Sequence, residues 1–490
     1  MPPGTRVVLI LVAGLAVGLA GCGTGGSSSA GLAPVPKGSF TNANFSGAYA
    51  FALTGTDFLT NGFFSAAGAL QADGKGNIVS GTEDINDSGS VLTGLPITGV
   101  YSVGADGRGV ATLYASVGSI DLDFVLLSGG QHGLVIRFDE VSSASGTLDL
   151  QDSTAFSAAA LAGQFAFNLA GVNASANVLN TVGSFSADGV SALNGGLQDT
   201  NTDGVFKPAS AFTGAYTVAG NGRGTATFPN ASNVQQNFVF YVVNANHLKV
   251  IEMDSAQELS GDAYRQQGTF SNATLSGPFA FTLSGASTLG PYVAGGLFTA
   301  DGNGNVTGGV EDVNNGGNVK QSLSLTGGYS LASSGRGTLA LSNTAGTFNF
   351  VFYPTVSGLQ IMETDSNPLA SGSGFAQPAG TYSTASLQND YGFNSSGASG
   401  LGQVDTEALL SVSGSGRFTG AGDFNVGGSL SQGLAFDGPY TMAANGRGTA
   451  TLTSTAEGGQ SFALYAVSPS QVLFIETDSG QVSEGAMLQQ

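Results

Sequence analysis

The stretch Gly327-Gly-Tyr329-Ser-Leu-Ala-Ser-Ser-Gly-Arg336-Gly337-Thr-Leu-Ala-Leu-Ser342 reads as two strands around a tight turn. Tyr329 and Leu331 alternate with small residues before Ser334-Gly-Arg-Gly337, and Leu339 and Leu341 alternate after it. Period-two alternation marks a half-buried strand, and glycine admits the backbone angles that a tight reversal needs. The arrangement recurs in four copies. Each has Asp-x-Asn, a Tyr 17 residues after that Asp, an Arg 7 further on inside Gly-Arg-Gly, and an Asp closing a later apolar strand. The sets are Asp84, Asn86, Tyr101, Arg108, Asp139; Asp199, Asn201, Tyr216, Arg223, Asp254; Asp312, Asn314, Tyr329, Arg336, Asp365; and Asp423, Asn425, Tyr440, Arg447, Asp478. Self-similarity at a fixed period identifies a tandem array of one module.

The third copy shows the module's content. Residues 277–285, Gly-Pro-Phe-Ala-Phe-Thr-Leu-Ser-Gly, put Phe279, Phe281 and Leu283 on one face. Strands follow at 293–300 and 305–313 around Asp301-Gly-Asn-Gly304, then at 322–331 and 338–342, 348–353 and 359–364, and a short one at 373–377. Asp-Gly and Asn-Gly between alternating runs mark hairpins. Eight strands joined by short turns form an antiparallel meander. Closing it into an up-and-down β-barrel removes the exposed edges. The rivals are a two-sheet β-sandwich and a propeller. The fold class expected is therefore all-β: four tandem modules of about eight strands each.

Bulk properties agree with an exported all-β array. The chain has 490 residues, room for four modules of a size that folds alone. The period is too long for a solenoid unit that needs neighbours, so the modules are expected to follow one another like beads on a string. Their expected bounds are 45–155, 156–269, 270–380 and 381–490. Charged residues make up only 9% of the chain, yet the net charge is -20. Such acidity excludes a nucleic-acid partner, whose affinity comes from basic clusters. A single cysteine excludes an intrachain disulfide.

That cysteine, Cys22, ends a leader. Residues 1–22 carry a short basic start, an apolar run from Val7 to Ala20, and Gly21-Cys22. These are the parts of an export signal, in a run shorter than a membrane-spanning helix needs. Leu19-Ala20-Gly21-Cys22 resembles the bacterial lipobox. The resemblance implies diacylglycerol on the Cys22 thiol, cleavage before it, and acylation (palmitate among the acyl groups) of the new amino terminus. Two or three acyl chains anchor stably where one does not. The membrane is thus an expected partner and the bacterial cell envelope the expected location, with the outer membrane or cell surface favoured. Residues 23–44 are Gly/Ser-rich, then Pro-rich, the composition of a flexible tether.

Module starts share a Gly-x-aromatic motif, as in Ser46-Gly-Ala-Tyr-Ala-Phe51 and Ser276-Gly-Pro-Phe-Ala-Phe281. This opening of an eight-stranded meander resembles the calycin group, the lipocalins and avidins, although they carry Trp there and this chain has none. The chain as a whole resembles the Gly-rich tandem-repeat lipoproteins of bacterial surfaces, a family that supplies no activity.

Four of the eight arginines fall in Gly-Arg-Gly. Their expected partner is a carboxylate near the end of the same module: Glu252, Glu363 or Glu476, with Arg137 in that place in the first copy, or the Asp two residues later. A bidentate Arg–carboxylate pair is strong and directional. The repeated set is either a polar ligand site, suited to a sugar, or a structural latch; equal retention in four copies favours the latch. The chemistry of catalysis is not assembled. His132 and His247 are replaced by Gly358 and Gln471 in the later copies, so no general base is shared. Glu83-Asp84 and Glu311-Asp312 point to opposite faces of a strand. Asp301-x-Asn303-x-Asn305 is spaced like a calcium loop, but Lys75 and Arg417 stand in the matching turns of other copies. No metal, no cofactor and no enzymatic activity are expected. The functions that remain are surface binding or adhesion toward a glycan or another surface protein, a structural spacer, and, least favoured, a polysaccharide hydrolase.

Overall fold

The computed structural model describes residues 38–454 and 458–490. The leader, Cys22 and most of the tether fall outside them. The described chain forms four closed, eight-stranded antiparallel barrels in tandem. Barrel 1 spans residues 46–150, barrel 2 163–265, barrel 3 276–376 and barrel 4 388–489. In barrel 3 the strands are Ser276–Ser287, Gly290–Asp301, Asn305–Asn315, Asn318–Leu331, Gly337–Asn343, Gly346–Thr355, Gly358–Glu363 and Leu369–Ala376. The first strand pairs with both the second and the eighth, which closes the barrel. Sandwich and propeller are excluded.

Each barrel is filled by the alternating residues that mark its strands. In barrel 3, Phe279, Phe281, Leu283, Phe298, Leu339, Leu341, Phe350 and Phe352 pack together. One end is plugged. A 3-10 turn precedes each barrel, at Asn42–Asn44, Ala158–Leu161, Asn272–Thr274 and Thr384–Ser386, and Phe45, Leu161, Leu275 and Leu387 at its end are buried in the barrel.

The two glycines of Gly-Arg-Gly serve different needs. The first adopts positive φ in every copy (+88°, +82°, +85° and +90° at Gly107, Gly222, Gly335 and Gly446), the left-handed region that disfavours a side chain. The second makes room for a ring: a Cβ on Gly337 would lie 2.1 Å from the Phe352 ring, and Gly109 and Gly224 stand in the same relation to Phe124 and Phe240. The Asp301 turn is likewise structural. Its Oδ1 accepts from the Asn303 and Asn305 amides at 2.7 and 3.0 Å, and Oδ2 from Asn305 Nδ2 at 2.7 Å.

The barrels do not hang as separate beads. Strands one and two of each barrel pack on the later strands of the next, and strands one and two of barrel 4 pack on strands six to eight of barrel 1. The four barrels thus make a closed head-to-tail ring. The cause lies on the outer faces, where alternate positions are apolar as well. Ala50 and Ala67 of barrel 1 meet Val239, Tyr241, Val243 and Ile251 of barrel 2. Ala166 and Val182 meet Val351, Tyr353 and Met362 of barrel 3. Among the described residues no strand is shared between barrels.

Gly337→Ala is expected to destabilise the chain by about 1–3 kcal/mol, the usual range for an overpacked core, read as a lower urea midpoint. Adding Phe352→Leu should recover part of the loss.

Candidate functional site

The recurring residues meet, but between barrels. Arg223 of barrel 2 forks onto Asp84 of barrel 1, with Nε to Oδ2 at 2.8 Å and Nη2 to Oδ1 at 2.7 Å. Arg336 holds Asp199 with the same atoms at 2.8 and 2.6 Å, and Arg447 holds Asp312 at 2.8 and 2.5 Å. The expectation of a partner within the same module is therefore corrected. The Asp points outward from its strand, toward the neighbouring barrel, and the arginine's own late Glu lies inside its barrel.

Two further groups complete each clamp. Tyr241, Tyr353 and Tyr465 donate their hydroxyls to Asp84, Asp199 and Asp312 at 2.5, 2.7 and 2.7 Å. Tyr241 stands directly opposite Arg223 on the adjacent strand, and Tyr465 opposite Arg447, so each pair reaches the carboxylate together. The amides of Gly94, Ala209 and Ser322, all at positive φ, donate to the same carboxylates at 2.8, 2.9 and 2.8 Å. Burial works to raise the pKa of Asp84, but Arg223, Tyr241 and the Gly94 amide outweigh it and hold the group below its ordinary value.

The Asn of Asp-x-Asn reaches across every seam. Asn86 Nδ2 donates to the carbonyls of Glu252, Asp254 and Gln257 at 3.1, 3.1 and 3.3 Å. Asn201 serves Glu363 and Asp365, and Asn314 serves Glu476, Asp478 and Gln481. Asn425 closes the ring by donating to Arg137, Asp139 and Ser142 of barrel 1 at 3.1, 3.0 and 2.8 Å.

The other members act inside a module. Tyr101 and Tyr329 donate to carbonyls of the plug, Phe45 and Leu275, both at 2.7 Å. Tyr216 and Tyr440 do the same to Ala158 and Thr384. Asp254, Asp365 and Asp478 cap a backbone amide on the sixth strand of their own barrel, at Asn237, Asn349 and Ser461. Asp139 instead takes Arg137 Nε at 2.6 Å and the Val141 and Ser142 amides.

The seam between barrels 4 and 1 breaks the pattern. Val125 stands opposite Arg108, where the other barrels carry Tyr. Arg108 turns back to Asp106 at 3.0 Å. Asp423 takes the Gly433 amide at 2.5 Å, and Glu407 fills the place held by Ala67, Val182 and Gly295 elsewhere. Glu407 is buried, and its side chain shares a hydrogen bond with Asp423. Burial, then the charge of Asp423, pushes Glu407 well above the ordinary carboxylate range. The same two causes push Asp123 up to about 7.

The seam between barrels 1 and 2 holds a charge that the sequence reading missed. Lys249, fully buried, reaches Asp149 Oδ2 at 2.7 Å and Thr147 at 2.6 Å, and His132 joins the same Asp at 2.5 Å. Tyr241, Tyr353, Tyr465 and Glu407 were also missed. The tyrosines had a signal: Phe238-Val-Phe-Tyr241, Phe350-Val-Phe-Tyr353 and Phe462-Ala-Leu-Tyr465 match, while Leu122-Asp-Phe-Val125 departs. Among the described residues no group of three His, Cys, Asp or Glu side chains is placed to hold a metal ion.

Two of the cavities among the described residues bear on binding. One of about 530 Å³ lies where barrels 1, 3 and 4 meet, lined by Thr54, Ser145, Tyr292, Ser396 and Glu484 among others. A second, of about 220 Å³, lies in barrel 1.

No protein-family model matches the chain, and no curated protein matches it. Among solved structures it is similar to a double mutant of transferrin-binding protein B, a vaccine antigen from Haemophilus parasuis Hp5. The two share 8% identity over 75% of this chain and 82% of that chain, with a TM-score of 0.19. A single mutant of the same antigen gives 8% identity, 75% and 85% coverage, and a TM-score of 0.18.

Arg336→Ala strands the buried Asp199 and is expected to cost about 3 kcal/mol in the full chain, as for one partner of a buried pair. In a double-mutant cycle with Asp199→Ala the two losses should fall short of additivity. An additive pair would mean that the clamp contributes nothing. The fourth seam should respond to alkali. The folded pKa values of Asp123 and Glu407 lie above their unfolded values, so their contribution is complete at low pH and is lost as pH rises through about 7 for Asp123. Glu407→Gln is thus expected to melt above the parent at about pH 8 and close to it at about pH 5.

Proposed function

We propose that the chain is a lipid-anchored protein of the bacterial cell envelope, whose ring of barrels serves as a non-catalytic binding or adhesion scaffold at the cell surface. The carrying observation is that the polar residues kept in all four copies are taken up within the fold: the Asn bridges every seam, the Arg–Asp forks join three of them, the Tyr holds its own plug, and the closing Asp binds within its own barrel. Those residues act as latches, and the variable surface between them is left to bind a glycan or another surface protein. Leu19-Ala20-Gly21-Cys22 supports the anchor, with Cys22 as the acylated residue. Acyl chains contribute about 0.8 kcal/mol per buried methylene, so two or three give stable attachment. The acidic balance of the chain, -20 overall, supports partners other than nucleic acid.

The ring's closure by Asn425 favours a second reading, a structural coat or spacer with no specific ligand. A panel of surface glycans offered to the purified chain separates the two, since a spacer retains none.

Cys22→Ser is expected to move the protein from the membrane pellet to the soluble fraction and to abolish incorporation of labelled palmitate. Retention of the variant in the pellet would contradict the anchor.

A further inference from the structure

The end of barrel 1 opposite its plug holds the cavity of about 220 Å³. It is bounded by the last residues of strands one, three, five and seven and the turns that follow them. Val117, in one of those turns, is exposed. One wall is charged: Asp57, Glu83, Asp87 and Arg137. The other is apolar: Phe64, Ile85, Leu92, Leu113 and Ile120.

Opposite charges face this space without meeting. Glu83 is 1% exposed, and its Oε1 is buried with no hydrogen-bond partner. The Arg137 guanidinium lies over the Phe64 ring, 4.8 Å from its centroid, and its Nε is fixed by Asp139. Among the described residues the only ion pair of Arg137 is the one with Asp139. A buried carboxylate without a donor costs free energy until something donates to it. Burial pushes Glu83 up to about 7, opposed by the Arg137 charge, so an arriving ammonium would draw it back to the carboxylate.

The other barrels lack this arrangement. At the positions of Glu83 and Arg137 they carry Gln198 and Glu252, Glu311 and Glu363, and Gly422 and Glu476. No cation is among them; Glu363 is likewise buried without a donor, and internal donors serve Glu252, Glu311 and Glu476. Gln236 donates to Glu252 at 2.8 Å, Asn343 to Glu311 at 2.6 Å, and Ser483 to Glu476 at 2.7 Å.

We propose that the barrel 1 cavity binds a small zwitterion with an apolar body, an α-amino acid with an aliphatic side chain. Its carboxylate meets Arg137, its ammonium meets Glu83, and its side chain lies on the wall of Ile85, Leu92 and Leu113. Charge-assisted hydrogen bonds to both ends set the orientation, and the apolar wall supplies area burial. This names a ligand class for the binding role proposed above, on which it rests.

The test is calorimetric titration of the detergent-solubilised full chain with three probes: L-leucine, 3-methylbutylamine (leucine without its carboxylate) and 4-methylpentanoate (leucine without its ammonium). L-leucine is expected to bind at least about tenfold tighter than either half. Arg137→Gln should lower leucine affinity about tenfold and leave 3-methylbutylamine unchanged, which also shows that the variant is folded. Glu83→Gln should lower leucine affinity and leave 4-methylpentanoate unchanged. No heat with leucine, or equal leucine affinity in the parent and both variants, overturns the proposal. A chain that binds leucine yet reaches no membrane keeps the cavity and loses the anchor. A chain that sediments with membranes yet binds none of the probes loses the cavity alone.

Discussion

Four aspartate-centred joints set the geometry of this molecule. In three of them a fully buried carboxylate is met by an arginine fork, a tyrosine hydroxyl and a backbone amide. A carboxylate taken out of water is costly unless its lone pairs are satisfied. Here the donors come from two barrels, so the aspartate is satisfied only when the neighbours are docked in one register. Apolar patches around the clamp supply non-directional attraction. The clamp converts that attraction into a defined angle, and repetition of one angle bends a tandem array into a ring.

A ring of linked units has one joint without a covalent connection, and that joint is built differently. Val125 replaces the tyrosine, Glu407 takes up the space, and Asp123 adds a further buried acid. The apolar patch persists in Val125, Leu127, Leu134 and Leu409, and the Asn425 bridge is unchanged. The joint at Asp84 is thus strengthened by ionisation of its aspartate, and the fourth by the neutrality of its acids. These two joints have opposite responses to pH.

The barrel itself was legible because its determinants are local. Alternation at Phe279, Phe281 and Leu283, the Asp301-Gly-Asn-Gly304 turn and the fixed spacing of Gly335 and Gly337 each speak within a dozen residues. The recurring Asp, Asn, Tyr and Arg were legible as a set, but their partners were not. Arg336 lies seven residues from Tyr329 in sequence and binds Asp199, 137 residues away. No period in one chain tells a contact within a copy from the same contact shifted by one copy. The outward apolar residues Ala67, Val182 and Val351 gave the missing hint, since a strand apolar on both faces must be covered on both. Arg137 was visible only as an irregularity in the first copy, and Glu83 only as half of an acidic pair that the third copy repeats; that they face a common space depends on the pleat and on barrel closure.

The circuit also decides how the molecule would bear tension. A pull on residue 38 enters through the plug of barrel 1, where the Phe40 amide is bonded to the Ala105 carbonyl. Barrel 1 is held on one side by barrel 2 and on the other by barrel 4, and Gln490, which follows the last strand of barrel 4, donates to the Asp106 and Leu126 carbonyls. Load therefore divides along two parallel routes, and detaching barrel 1 from the circle requires both to give way. An open string of the same barrels would pass the whole strain through each link in turn.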